Sequence, residues 1–116
     1  MHAKKYNLIA LTNPLPGQEK AFNDWYTNVH LADVLKLPGV VAAQRFRMSD
    51  TQHRPGPFEY AYMAIYEIES DDIQITLNKL SEVSGTDEMP LSPALSPDRM
   101  VWILEPITGR VERKAD

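Results

Sequence analysis

His30 and the aromatic side chains before it are the group in this sequence best suited to chemistry. Trp25 and Tyr26 lie at the three- and four-residue spacings of one helix face in residues 22–39, and His30 follows where that face is predicted to end. An imidazole titrates near neutral pH, and two large aromatic side chains beside it would form a hydrophobic wall. Asp33, three positions later, could orient the ring. The sequence therefore indicates His30 as a general base, a general acid or a hydrogen-bond donor to a ligand carbonyl.

A structural role for His30 is the alternative. Imidazoles near the C-terminus of a helix often satisfy a backbone carbonyl and interact favourably with the helix dipole. In that case His30 would stabilise the helix end and take no part in binding.

Tyrosines on a predicted strand are the next candidates. Tyr60, Tyr62 and Tyr66 share one alternation of residues 58–68, with Ala61, Met63 and Ile65 on the other. Their phenols could bind or polarise a phenolic or carbonyl substrate, and we assign Tyr62 as a catalytic hydrogen-bond donor with Tyr60 and Tyr66 as binding residues. They could equally be ordinary strand aromatics whose hydroxyls find partners at the sheet edge.

The remaining predicted site residues would bind or enclose the substrate. Arg45 on the second strand could hold a carboxylate with two hydrogen bonds, or it could be solvated at the strand end. Asn13 could reach the rim of the pocket, although an asparagine before Pro14 is also a typical turn residue. Trp25, Tyr26 and Phe46 are expected to exclude water.

Length and composition bound the fold and the partners. The 116 residues, 43% of them apolar, predict one domain over 1–116, with a core at about 6–106 and a charged tail at 107–116. The net charge is 12 − 16 = −4, so neither nucleic acid nor a membrane is expected as a partner. No cysteine is present, and there is no signal-peptide pattern at the start. We expect a cytoplasmic protein.

Strand and helix patterns alternate along the chain. Strands are predicted at residues 6–12, 39–47, 58–68 and 99–106, with one helix in 22–39 and another after a Ser70 cap. The order βαββαβ predicts an α+β ferredoxin-like fold, in which a four-stranded antiparallel sheet carries two helices on one face. The proline-rich residues 84–98 would form a lid.

Both faces of the predicted sheet are apolar. The first strand presents Leu8 and Ala10 on one side and Ile9 and Leu11 on the other. Two helices can cover only one of these faces, and an uncovered apolar sheet would exceed what a monomer normally exposes. We therefore expect a homodimer in which a second copy covers the other face.

Several short motifs carry a family resemblance. Residues 24–26 (DWY), 30–35 (HLADVL), 38–39 (PG), 43–46 (AQRF) and 62–67 (YMAIYE) resemble the dimeric α+β barrel superfamily and, within it, the EthD-like group. The resemblance extends over residues 6–106. It implies a sheet-to-sheet homodimer with one small apolar cavity per subunit, and a functional histidine at the end of the first helix that matches His30.

Other chemistries have no motif in this sequence. There is no glycine-rich phosphate loop, no H-E-x-x-H, no G-x-S-x-G and no pair of cysteines. Three histidines in different local contexts do not predict a metal site. We therefore expect no metal and no organic cofactor.

The function predicted from the sequence is cofactor-independent proton transfer. The substrate would be a small hydrophobic or aromatic metabolite with a carbonyl or phenol group, and the reaction an isomerase, cyclase or lyase type in catabolism or secondary metabolism. A non-catalytic binding or accessory protein is the first alternative. A cofactor-free monooxygenase is the second.

Overall fold

A four-stranded antiparallel sheet with helices on one side makes up most of this computed structural model, which describes residues 3–115. The elements are β1 (Lys4–Thr12), α1 (Glu19–Trp25), a π turn (Tyr26–His30), α2 (Leu31–Leu35), β2 (Val40–Arg47), β3 (Tyr62–Ser70), α3 (Ile73–Val83) and β4 (Met100–Leu104). The strand order is β2-β3-β1-β4. The predicted ferredoxin-like βαββαβ architecture is confirmed.

The third strand starts later than its pattern predicts, at Tyr62 instead of residue 58. The side chain of Asn13 explains the difference. It donates to the carbonyl of Glu59 at 2.8 Å and accepts from the N–H of Ala61 at 2.8 Å. These bonds hold the residues directly before Tyr62 against the turn that follows β1. Those residues therefore do not enter the strand ladder. Asn13 therefore acts as the predicted turn residue.

Side chains alternate strictly across β1. Tyr6, Leu8, Ala10 and Thr12 are buried and face the helices, whereas Ile9 on the other side is only half-buried. The same alternation on β3 directs its buried residues to the helix side. There they join a core that also contains the following residues from helices and loops: Phe22, Tyr26, Val34, Leu37, Val83, Met89 and Ala94.

The first helix runs without interruption through the π turn. Tyr26 and Leu31, at the two junctions, both have right-handed helical backbone angles. The N–H of Leu31 donates to the carbonyl of Tyr26, five residues earlier, which is the hydrogen bond of a π-helix. His30 thus lies inside the helix and not at its C-terminus. The expectation of a helix-end histidine is wrong, because the helix continues for another five residues to Leu35.

The wider turn also moves Val29 out of the apolar face. Its side chain is 40% exposed, whereas regular α-helical spacing predicts that it packs with Trp25 and Tyr26. A π turn contains one more residue than an α turn, so positions after its start are rotated relative to the α-helical pattern.

Gly39 makes the connection from the first helix to β2. Its φ is +82°, and a Cβ at this position would lie 2.7 Å from the carbonyl oxygen of Glu69. The N–H of Glu69 donates to the Gly39 carbonyl at 2.8 Å. The close approach of the two backbones therefore requires glycine.

Asp72, and not Ser70, caps α3. Its carboxylate accepts from the N–H of Gln74 at 3.0 Å, while the Ser70 hydroxyl accepts from the N–H of Asp72. The inner face of the helix contains Thr76 and Val83, which are buried. The Thr76 hydroxyl donates to the carbonyl of Pro38 at 2.6 Å, so α3 is joined to the end of the first helix.

The segment after α3 packs against the body of the protein. Met89 and Ala94 are each 1% exposed, and the N–H of Leu15 donates to the Ala94 carbonyl at 2.7 Å. The indole N–H of Trp25 donates to the carbonyl of Pro90 at 3.2 Å. This segment, which the sequence predicts as a lid, thus forms a wall beside the first helix.

The sheet face opposite the helices carries exposed apolar side chains. Trp102 is 53% exposed, Leu104 48%, Phe46 40% and Met100 39%. Half-buried Ile9, Leu11, Met63 and Ile65 lie between them on the central strands. In the described part of the chain, no helix combines the length and the apolar character needed to cross a membrane.

Candidate functional site

An apolar cavity of about 120 Å³ lies between the helix side of the sheet and the first helix, and α3 and the segment after it form the rest of its wall. The strands contribute Leu8, Ala10, Thr12, Tyr66 and Val101 to its wall. The first helix contributes Trp25, Tyr26, His30 and Val34, and the later elements add Leu80, Leu91 and Leu95. Four of the residues predicted to bind or react, His30, Trp25, Tyr26 and Tyr66, therefore meet in one cavity.

Two aromatic rings hold His30. Its imidazole stacks on the Trp25 indole with centroids 4.6 Å apart, and it meets the edge of the Tyr26 ring at 4.9 Å. The Nδ1 atom is buried and has no hydrogen-bond partner among the described residues. One nitrogen of the buried ring is thus left without a hydrogen bond from the described residues.

Burial keeps the imidazole uncharged. It lowers the pKa of His30 from 6.5 to about 4, since the cation would lose its hydration inside the cavity. The Asp33 carboxylate opposes this shift, and the positive charges of Arg99 and Arg45 reinforce it. At neutral pH the ring is therefore able to accept a proton or a hydrogen bond.

Asp33 does not hydrogen-bond to His30. One carboxylate oxygen lies 3.8 Å from the Lys36 ammonium, and the other is buried without a partner in residues 3–115. Asp33 therefore does not orient the ring through a hydrogen bond, as the sequence suggested, and acts on the pKa of His30 through its charge. Stacking on Trp25 sets the plane of the ring instead.

A pair of phenols lies beside the imidazole. The Tyr66 hydroxyl donates to the Tyr26 oxygen at 3.3 Å in the buried interior. Burial raises the pKa of both phenols, so both are neutral at physiological pH. Because Tyr26 accepts this bond, its own proton remains available for another acceptor.

Tyr62 lies outside the cavity, which corrects the expectation that it acts beside His30. Its hydroxyl accepts from the Asn23 amide at 3.2 Å on the outer side of the first helix. The ring packs on Phe22 with centroids 5.1 Å apart. Tyr62 shares the helix-facing alternation with Tyr66, but it lies four residues nearer the end of the sheet and passes the helix on its far side.

Arg45 is engaged with the first helix and not with the cavity. Its guanidinium donates to the Thr27 hydroxyl and to the Asn23 side-chain oxygen, each at 2.9 Å. The same group lies 4.5 Å from the centroid of the Tyr26 ring. With these partners it holds the π turn against β2, and the predicted binding of a substrate carboxylate is not the role that this geometry gives it.

The other predicted site residues also lie away from His30. Phe46 is on the face of the sheet opposite the cavity. The Tyr60 hydroxyl donates to the Asp98 carboxylate at 3.1 Å, and the Asn13 amide is occupied by the backbone bonds described above. These contacts fix loops at the end of the sheet.

Thr12 and Arg99 also line the cavity, although neither was among the site residues predicted from the sequence. Thr12 is 3% exposed, and its hydroxyl has no partner among the described residues. A signal was present for both. Thr12 follows the alternation of Leu8 and Ala10, and Arg99 directly precedes β4 on the alternation of Val101.

Metal ligands are not clustered in the described residues. Between residues 3 and 115, no group of three or more histidine, cysteine, aspartate or glutamate side chains is placed to hold an ion.

Comparison with known proteins relates the chain to others of this fold. No family model matches the sequence. Core atranone cluster (CAC) protein 1 from Stachybotrys chlorohalonatus (strain IBT 40285) is 34% identical over 90 residues, which is 75% of this chain and 34% of that protein. The match thus spans about a third of the length of that curated relative.

Solved structures show the same architecture. An EthD family protein from Bacillus halodurans C-125 superposes with a TM-score of 0.61 at 23% identity, over 89% of this chain and 99% of the other. A candidate antibiotic biosynthesis monooxygenase from Caulobacter crescentus CB15 gives 0.57 at 17% identity, over 92% and 93%. At these identities the likeness establishes the fold. The chain therefore has the ferredoxin-like α+β fold of these structures, one of which is an EthD family protein.

Proposed function

We propose that this protein binds a small hydrophobic or aromatic molecule with a carbonyl or phenol group and moves a proton on it without a cofactor. The observation that carries the proposal is the uncharged imidazole of His30, which lines an apolar cavity and whose buried Nδ1 atom has no hydrogen-bond partner among the described residues. A buried neutral base beside neutral phenols is the arrangement that enolisation next to a carbonyl requires.

His30 is the proton acceptor in this proposal. Its ring is fixed by the stack on Trp25, so its nitrogen needs little reorganisation when a substrate enters. The low pKa makes it a weak base in the empty cavity. The negative charge that develops on a substrate would favour the imidazolium, as does the carboxylate of Asp33.

Tyr26 replaces Tyr62 as the donor to the developing oxyanion. Its oxygen accepts a hydrogen bond from Tyr66, which polarises the remaining O–H. Tyr26 and His30 both line the cavity. Base and donor therefore face the same small volume, as isomerase, cyclase and lyase reactions need.

Secondary metabolism is the proposed setting. The name of the sequence relative refers to the core atranone cluster, and one structural neighbour is a candidate antibiotic biosynthesis monooxygenase. Proton removal would also be the first step of a cofactor-free oxygenation. Turnover that depends on dissolved oxygen would identify that second reaction.

Hydrogen–deuterium exchange tests proton transfer directly. A panel of small enolisable carbonyl compounds in D₂O, followed by NMR, should contain one whose exchange the protein accelerates. His30→Gln should abolish the acceleration, whereas His53→Gln, on an exposed loop, should keep it. Saturable binding with no exchange in the wild type would favour a carrier, the non-catalytic alternative, for which the weak basicity of His30 is sufficient.

We also propose that a second copy of the chain covers the far face of the sheet. The exposed Trp102, Leu104, Met100 and Phe46 support self-association through this face. Its two-fold pairing would place the two cavities on the outer sides of the joined sheets.

A further inference from the structure

We propose that the Thr12 and Arg99 end of the cavity binds a carboxylate, so that the ligand is a small hydrophobic acid. The inference deepens the proposed function and rests on it only for the use of the same cavity. It assigns an anion-binding role to Thr12 and Arg99, whose side chains are not explained by any interaction within the described chain.

Thr12 supplies the first observation. It is the last residue of β1, its side chain is 3% exposed, and its hydroxyl is buried without a partner in residues 3–115. Neighbouring wall residues such as Leu8 and Ala10 offer no polar atom from their side chains. A hydroxyl in such surroundings is unfavourable unless a ligand satisfies it. Because Thr12 lines the cavity, a ligand oxygen that reaches its hydroxyl would be the acceptor that the described chain does not supply.

Arg99 supplies the charge. The pairing of β1 with β4 ends at Leu11 and Met100, and one more residue along this register sets Arg99 across from Thr12. Both residues line the cavity, and Arg99 is exposed at its mouth. In the described chain no carboxylate forms an ion pair with its guanidinium, and the adjacent Asp98 instead accepts from Tyr60. The guanidinium is therefore able to bind an anionic ligand that enters from solvent, by donating hydrogen bonds to it.

The charge of Arg99 affects the pKa values of two other residues that line the cavity. Burial is the main cause of the low pKa of His30, and Arg99 lowers it further across the cavity. Arg99 also lowers the pKa of Tyr26, where burial acts in the opposite direction and dominates. An anion at Arg99 would lie within reach of the same groups that are proposed to move the proton.

The other arginine near the site is not available. The guanidinium of Arg45 donates hydrogen bonds to Thr27 and Asn23 and packs on the Tyr26 ring. The carboxylate recognition that the sequence suggests for Arg45 is thus better placed at Arg99, on the other side of the first helix.

The size of the cavity restricts the rest of the ligand. Its volume is about 120 Å³, and engineered apolar cavities of about 150 Å³ bind benzene. One aromatic ring or a short branched chain would fill the space near Trp25, Val34 and Leu80. The ligand class is therefore a one-ring or short-chain acid with its carboxylate at the mouth.

Calorimetric titration with matched probes tests the inference. Benzoate and its uncharged counterpart benzamide have the same ring, and benzoate has no proton beside its carbonyl group that His30 could remove. Binding of benzoate is thus measured separately from proton transfer. We expect wild-type protein to bind benzoate at least about ten-fold more tightly than benzamide.

Three variants assign the preference to residues. Arg99→Gln should remove the preference for benzoate, and Thr12→Val should weaken benzoate binding several-fold, whereas Thr12→Ser should retain it. Arg54→Gln, an exposed arginine on the loop between β2 and β3, should bind like the wild type. Circular dichroism of each variant checks the fold.

Several results would overturn the inference. Equal affinity for benzoate and benzamide would do so, as would an unchanged preference in folded Arg99→Gln. If benzoate, phenylacetate, cinnamate and salicylate all fail to bind wild-type protein, the acid site does not exist. The proposed function would survive these results if an uncharged carbonyl compound exchanged its proton, and the acid site would survive a failure of that exchange.

Discussion

The imidazole of His30 stacks on the indole of Trp25, with ring centroids 4.6 Å apart and 28° between the planes. Residues five positions apart point in different directions on a regular α-helix, at 3.6 residues per turn. The π turn between them, closed by the bond from Leu31 N–H to the Tyr26 carbonyl, brings both rings to the same side. One additional residue in a helical turn therefore creates the aromatic support for the proposed base, as π turns at functional sites often do.

Acid should destabilise the protein through His30. The folded pKa is about 4 against an ordinary 6.5, so between these values the unfolded chain binds a proton that the folded chain does not. The stability that the neutral imidazole contributes is thus fully present above pH 6.5 and is lost as the pH is lowered towards 4. We expect this group to contribute a loss of up to about 3 kcal/mol over that range.

Urea denaturation at several pH values measures this loss. A His30→Gln variant keeps all other titrating groups, including Asp33, Arg99 and Arg45, which act on the pKa of His30. The difference between its curve of stability against pH and that of the wild type therefore isolates the contribution of the imidazole. His53→Gln serves as the control. Parallel curves for wild type and His30→Gln would show that the folded imidazole titrates normally.

Arg45 should stabilise the fold through the π turn. Arg45→Lys keeps the charge but cannot make both bonds to Thr27 and Asn23 or stack on Tyr26 as a planar group. We expect a loss of about 2 kcal/mol in the free energy of unfolding. Arg47→Lys, at the exposed end of the same strand, should change it by less than about 0.5 kcal/mol. Equal effects of the two substitutions in urea denaturation would contradict the proposed clamp.

Trp102 should control self-association. It lies at 53% exposure on the far face of the sheet, so Trp102→Asp would place a charge in the proposed interface. Light scattering coupled to size exclusion should give twice the chain mass for the wild type and the monomer mass for the variant. Ile75→Asp, at 56% exposure on α3, should remain dimeric. A monomeric wild type at micromolar concentration would refute pairing through this face.

Trp25 should restrain the segment after α3. Trp25→Phe removes the bond from the indole N–H to the Pro90 carbonyl. A loss of about 1 kcal/mol would make local opening roughly five-fold more frequent. Faster amide hydrogen exchange at Met89 and Leu95, whose N–H groups donate to the carbonyls of Thr86 and Ser92, should report it, with Trp102→Phe as control. Unchanged exchange there would mean that packing of Met89 and Ala94 alone holds this wall.

The fold followed from periodicity, because strand alternation and helix spacing are local properties of the chain. The apolar strands and the position of α3 are explained by that pattern, whereas the side of the sheet on which the tyrosines of β3 lie did not follow from it. The start of β3 did not follow from it, because the bonds from Asn13 to Glu59 and Ala61 depend on a turn 46 and 48 residues earlier in the chain.

The site was only partly predictable for the same reason. Helix spacing placed Trp25, Tyr26 and His30 together, but it did not predict the π turn, since both helix types carry similar apolar patterns. Tyr62 and Tyr66 share one alternation, and only the course of the first helix across the sheet separates them. Alternation alone could have added Thr12 to the cavity wall.

The strict alternation along β1 and β3 has a consequence for how this protein can change. Leu8, Ala10 and Tyr66 shape the cavity, while their immediate neighbours Ile9, Leu11 and Ile65 belong to the opposite surface. Mutations at one set should alter ligand selectivity, and mutations at the other should alter stoichiometry of assembly. A single layer of backbone thus lets the two properties evolve independently, one residue apart.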